Sequence, residues 1–110
     1  MYEIIFVNIL SMKKINQEES SEKNAVKPLT AIVLLATLKP KNQLSHTAVL
    51  ATLLMEKLAR SNIQSEMIRL IDYDIKPGIQ ENMGTGDEWP KILKQILAAD
   101  IIIFATPIWW

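Results

Sequence analysis

Two short stretches of this sequence hold residue types suited to binding chemistry. The first, residues 37 to 47, carries hydroxyls on Thr37, Ser45 and Thr47, an amide on Asn42, and cations on Lys39 and Lys41. Hydroxyls and cations gathered just ahead of a helix suit a phosphate, because the helix N-terminus offers unpaired N–H groups and the positive end of its dipole. The stretch contains no glycine, so it is neither a Walker A loop nor a GxGxxG dinucleotide fingerprint. The same residues also suit an ordinary polar connection between a strand and a helix. The second stretch, Thr106-Pro107-Ile108-Trp109-Trp110, sets two indoles beside a proline-stiffened turn. An indole face can stack on a flat aromatic ligand, and it can equally pack against other protein. His46 reads more readily as a surface residue at a helix start than as a phosphate ligand. Asp72 and Asp74 read as turn chemistry rather than as a carboxylate pair.

Other chemistries lack their residues. The chain of 110 residues has no cysteine and one histidine, so no disulfide, Cys-ligated zinc, iron–sulfur cluster or histidine metal site is expected. A formal net charge of zero argues against nucleic acid as the main partner. No run approaches the roughly 20 apolar residues that span a bilayer, so no membrane association is expected. The first ten residues are apolar, but they lack a basic start and a small-residue cleavage site. A cytoplasmic location is the default expectation.

Hydrophobic patterning supplies the elements that must position the two stretches. Residues 1 to 29 read as a flexible N-terminal extension, polar from 11 to 28, with translation starting at Met12 as one hypothesis. The domain proper occupies residues 30 to 110. The run Ala31-Ile32-Val33-Leu34-Leu35-Ala36 suits a strand covered on both faces. A helix follows over about residues 47 to 61, with Leu50, Leu54 and Leu58 on a stripe widened by Val49, Ala51 and Leu53, and with Asn62 marking its end. A second strand over about residues 66 to 71 is interrupted by Arg69, which suits a sheet edge. A loop then leads to a second helix starting near Asp87, with Pro90 in its first turn and Ile92, Leu93, Ile96 and Leu97 on its apolar stripe. A very apolar strand over residues 100 to 105 belongs in the sheet centre. Strands alternating with helices imply a parallel sheet. The expected fold is a flavodoxin-like α/β three-layer sandwich, truncated after its third strand. The first and third strands are then neighbours, and the two binding stretches border one crevice. On this reading the outer edge of the third strand is open, and the isolated chain is unstable or self-associating.

Residues 30 to 110 resemble the NADPH-dependent FMN reductase family. Ala31 to Thr47 resembles the first strand and FMN phosphate loop, with Thr37 at the first hydroxyl position, Lys39 near an arginine position, and Ser45-His46-Thr47 at the Ser-Asn-Thr end. Leu70 to Pro77 resembles the segment after the second strand, and Ala98 to Trp110 resembles the third strand and the Thr-Pro-x-Tyr/Trp loop beside the flavin. Ala36 stands where the family usually has glycine, and His46 where it usually has asparagine. The resemblance implies FMN and NAD(P)H as cofactors, a small-molecule electron acceptor, and a homodimer. It implies cofactor contacts from Thr37, Lys39, Ser45, His46, Thr47, Thr106, Pro107, Ile108, Trp109 and Trp110, with no catalytic side chain. The implied function is an FMN-dependent NAD(P)H oxidoreductase of flavin or quinone reductase type, present in truncated form. A flavodoxin-like electron carrier and an inactive remnant without flavin binding stand as alternatives.

Overall fold

The computed structural model describes residues 2–8 as backbone and residues 27–108 in full. Four strands form one sheet in the order β1-β4-β2-β3, where β1 is Tyr2–Asn8, β2 Thr30–Leu35, β3 Gln64–Arg69 and β4 Ile101–Ile108. Strands β2, β3 and β4 run parallel. In chain order they are the first, second and third parallel strands and lie 2-1-3 across the sheet, the arrangement of the flavodoxin-like fold. Helix α1, His46–Arg60, links β2 to β3, and helix α2, Trp89–Ala98, links β3 to β4.

The alternation of side chains along the strands divides the core in two. Ala31, Val33, Leu35, Ile101, Ile103 and Ala105 pack on α1 through Ala48 and Ala51. Ile32, Leu34, Ile68 and Ile102 pack on α2 through Ile92. A sheet covered on both faces requires strands apolar at every position, which β2 and the first part of β4 provide. Each fully buried Val, Leu or Ile here contributes on the order of 1.5–3 kcal/mol.

Register is pinned at both ends of the central pair. At the start, Thr30 N and Oγ1 donate to Asp100 Oδ2 at 2.9 and 3.2 Å, while Asp100 N donates to Thr30 O at 3.0 Å. At the far end, Ala36 N donates to Ala105 O at 2.8 Å. Helix α1 closes as the sequence suggests: Asn62 adopts φ 60°, and Asn62 N and Ile63 N donate to Ala59 O and Leu58 O. A left-handed residue in that position ends a helix while satisfying its last carbonyls.

Several expectations need correction. The strand at residues 101 to 108 does not leave its outer edge open, because Tyr2–Asn8 pairs with it antiparallel from Tyr2↔Ile108 to Asn8↔Ile102. Those seven residues therefore depart from the expected flexible extension. Their run Tyr-Glu-Ile-Ile-Phe-Val-Asn is rich in β-formers, and β4 offers it an unpaired row of N–H and C=O groups. The same pairing carries β4 through Thr106, Pro107 and Ile108, which were expected in a loop. Pro107 is tolerated because beyond Ala105 the strand has β1 as its sole neighbour among the described residues. On α1, Val49, Leu50 and Leu53 face solvent, and Thr47, Ala48 and Ala51 take the buried positions. Leu54, Met55 and Leu58 pack against the same core from its margin. On α2, Leu97 is exposed rather than buried.

Candidate functional site

The crossover α1 leaves β2 on one side of the sheet and α2 returns to β4 on the other, so strand order reverses between β2 and β4. Ligands in open α/β sheets bind beyond the C-terminal strand ends at such a reversal. The loop from Ala36 to Ser45 and the end of β4 meet there. The Ala36–Ala105 hydrogen bond sets Thr37 and Thr106 one residue beyond a paired position on adjacent strands.

Ser45 and Thr47 stand at the N-terminus of α1, and Thr37 stands just past the end of β2. Ser45 is the N-cap, in extended conformation, and its Oγ accepts from Ala48 N at 3.2 Å. Thr37 Oγ1 accepts from Lys39 N at 3.2 Å. Thr37, Ser45 and Thr47 are the buried polar residues among those described, at 7%, 4% and 2% exposure. An Oγ that accepts a backbone N–H still has its own proton to donate, so Thr37 and Ser45 can each give a hydrogen bond to an anion. The α1 dipole adds partial positive charge, and no acidic residue in the first turn opposes it. These features fit a monophosphate. Lys39 and His46 are exposed beside this cluster.

The missing glycine has a structural explanation. Asn62 is the one non-glycine residue with positive φ among those described, so the loop uses no left-handed backbone, and Ala36 carries no strain. The loop is instead braced from outside. Gln43 N donates to Pro40 O at 2.9 Å, closing a turn. Arg69 Nη1 donates to Lys39 O at 2.8 Å, to Pro40 O at 2.9 Å and, at the limit of a hydrogen bond, to Gln43 O at 3.5 Å. Asp72 Oδ1 accepts from Lys41 N at 3.1 Å. Sequence reasoning took Arg69 only as a sign of an edge strand, and Asp72 only as turn chemistry. The missed signal was register: Arg69 pairs with Leu35, the last residue of β2, and so stands beside the loop's first residues.

Of the second stretch, Thr106, Pro107 and Ile108 are half-buried at the end of β4, and Thr106 Oγ1 donates to Pro107 O at 3.1 Å. Trp109 and Trp110 lie outside the described residues. The connection between β3 and α2 is organised separately. Asp87 accepts from Lys76 N, Met83 N and Trp89 N, and Lys76 Nζ pairs with Asp74 at 2.8 Å. Hydrogen bonds from Met83 and Trp89, then Lys76, hold the Asp87 carboxyl below its usual pKa. Hydrogen bonding and attraction from Asp74 raise that of Lys76. A concavity of about 410 Å³ opens at the opposite end of the sheet, beside Thr30, Gln64 and Gln95. It adjoins the N-terminal strand ends, where this architecture does not place ligands. Among the described residues no group of three or more His, Asp or Glu could hold a metal, and no helix is long and apolar enough to cross a membrane.

A 2-1-3 parallel sheet with one crossover helix on each face defines a flavodoxin-like α/β domain. The chain belongs to the NADPH-dependent FMN reductase family, which matches residues 30–110. It is similar to the divalent metal cation transporter MntH of Mycobacterium bovis, 32% identical over an aligned length of 99, with 82% of this chain and 14% of the relative covered. It is also similar to 8-demethyl-8-aminoriboflavin-5'-phosphate synthase of Streptomyces davaonensis, 33% identical over an aligned length of 89, with 73% of this chain and 35% of the relative covered. The chain thus spans about a third or less of the curated relatives it matches. No solved structure matches it.

Proposed function

We propose that this chain provides the flavin-phosphate end of an FMN-dependent NADPH oxidoreductase. The observation that carries the reading is the buried trio Thr37, Ser45 and Thr47 at the α1 N-terminus, set at the strand reversal of a chain in this family. Ser45 and Thr37 would hold the phosphate by O–H donation, and the first-turn N–H groups of α1 would add backbone donors. Lys39 and His46, at the solvent margin, would draw the anion in. Thr106, Pro107 and Ile108 would line the ring side of the crevice, and Trp109 and Trp110 continue directly from them in sequence. The chemistry supplied by the flavin when bound is hydride acceptance from NADPH and onward electron transfer to a small-molecule acceptor. The chain's own residues orient and neutralise; none is assigned as an acid or base. The acceptor, use of NADH, and a homodimeric site are extensions of the same proposal.

A second reading draws on the Streptomyces relative, whose name makes a riboflavin-5'-phosphate derivative its product. The same phosphate cradle would then hold the flavin as a substrate. Titration of the chain with FMN and with riboflavin, followed by flavin fluorescence, tests the part common to both readings. Preference for FMN is expected; equal affinity for the two removes the phosphate site. NADPH oxidation by the FMN-loaded protein, without change to the flavin's own structure after turnover, separates cofactor from substrate.

A further inference from the structure

We propose that Arg69 and Asp72 are positioning residues that shape the glycine-free phosphate loop from the neighbouring strand, an inference that rests on the flavin-phosphate reading above. A loop between strand and helix needs its backbone fixed if its hydroxyls are to meet an anion in one geometry. In glycine-rich loops the backbone folds tightly on itself; here Pro40 and the absence of glycine forbid that route. The loop's backbone groups bond outward instead. Arg69 gathers the carbonyls of Lys39 and Pro40 at 2.8 and 2.9 Å, and Asp72 takes the Lys41 N–H at 3.1 Å. Between them they engage three consecutive residues, 39 to 41, from a strand end and turn some thirty positions later in the chain.

Two further features distinguish this from incidental surface contact. Arg69 sits in register with Leu35, so β3 delivers its guanidinium to the same end of the sheet as the hydroxyl trio. Among the described residues no carboxylate pairs with Arg69. Its partners are neutral carbonyls, so the guanidinium keeps its charge at the loop end of the sheet, where the Asp72 carboxylate holds the neighbouring residue. In the proposal Arg69 fixes the loop and, through that charge, favours a phosphate at this end of the sheet. Asp72 closes the other side of the turn through a backbone N–H, leaving the Lys39 and Lys41 side chains exposed to solvent.

The test compares the full chain with Arg69→Met, Arg69→Lys and Asp72→Ala. Affinity is measured for FMN and for riboflavin, and amide hydrogen exchange is followed at Lys41 and Gln43. Arg69→Met is expected to weaken FMN binding by roughly tenfold or more, the scale of one charge-assisted hydrogen bond, and to leave riboflavin binding unchanged. Arg69→Lys is expected to recover part of the loss. Exchange at Lys41 should accelerate in Asp72→Ala, which removes the acceptor of its N–H at an exposed position. A merely structural role would lower the two flavin affinities together. Unchanged FMN preference and unchanged exchange in Arg69→Met and Asp72→Ala overturn the proposal. If the unaltered chain does not prefer FMN to riboflavin, the phosphate reading fails, and the phosphate role of Arg69 with it. Faster exchange in the variants would then show bracing of the loop alone.

Discussion

Ser45 caps α1 and, on the proposed reading, also donates to the flavin phosphate; a pair of substitutions separates the two. As N-cap its Oγ accepts the Ala48 N–H from a site that is 4% exposed. Ser45→Ala removes that acceptor and is expected to cost about 1 kcal/mol, within a usual span of roughly 0.5–2. For a domain of this size that is a fall in Tm of about 4–8 °C, read by circular dichroism. Ser45→Asp keeps an equally good cap and gains from the positive helix end, so its Tm should stay near that of the parent. Its carboxylate, however, would face the phosphate. Two unit charges about 4 Å apart at an effective dielectric near 20 repel by roughly 4 kcal/mol, close to a factor of ~10³ in affinity. Ser45→Asp should therefore lose FMN binding at low salt, regain part of it at high salt, and bind riboflavin as the parent does. The assay is fluorescence titration with both flavins at two ionic strengths. If Ser45→Asp melts like the parent and still binds FMN with parental affinity, the phosphate is not at the α1 N-terminus and the reasoning is refuted.

Ile103→Ala empties a fully buried position between β2 and α1 and should destabilise the chain by about 2–5 kcal/mol in denaturant titration, whereas Leu53→Ala, on the exposed face of α1, should change it by less than about 0.5. Deleting residues 2–8 uncovers the outer edge of β4 and should increase self-association over that of the full chain on light scattering; an unchanged size distribution would show that β1 does not protect that edge. The Asp87 carboxyl has a folded pKa depressed below the ordinary 3.8, so its contribution to ordering the β3–α2 connection is present above 3.8 and is lost as pH falls through the depressed value. Amide exchange at Met83 and Trp89 should accelerate in that acid window for the parent, and should be fast and free of that transition in Asp87→Asn.

The parts of the fold legible in the sequence were those fixed by local pattern. The runs at residues 31 to 35 and 101 to 105 are apolar at every position, and only a doubly covered strand requires that. Pro90 and Asn62 marked helix ends because their backbone preferences hold wherever they occur. Ser45 was legible as a helix cap because a hydroxyl before a helix has that role in any context. What escaped was tertiary choice. The α1 stripe offered two apolar faces, and only contact with the sheet selects Ala48 and Ala51 over Leu50 and Leu53. The pairing of Tyr2–Asn8 with β4 joins segments about a hundred residues apart, which no local pattern reveals. Arg69 looked like an edge residue, and it is one; its grip on the loop depends on a register that exists only once the strands pair.

Placement of a flavin phosphate at the α1 N-terminus, beside the strand reversal, is read by titrating the isotope-labelled chain with FMN and following backbone amide resonances. The largest shifts are expected at His46, Thr47, Ala48 and Thr37, with smaller ones at Thr106, and little response at His46–Ala48 when riboflavin replaces FMN. Shifts confined to the opposite end of the sheet, around Thr30 and Gln64, or identical patterns for the two flavins, would contradict it.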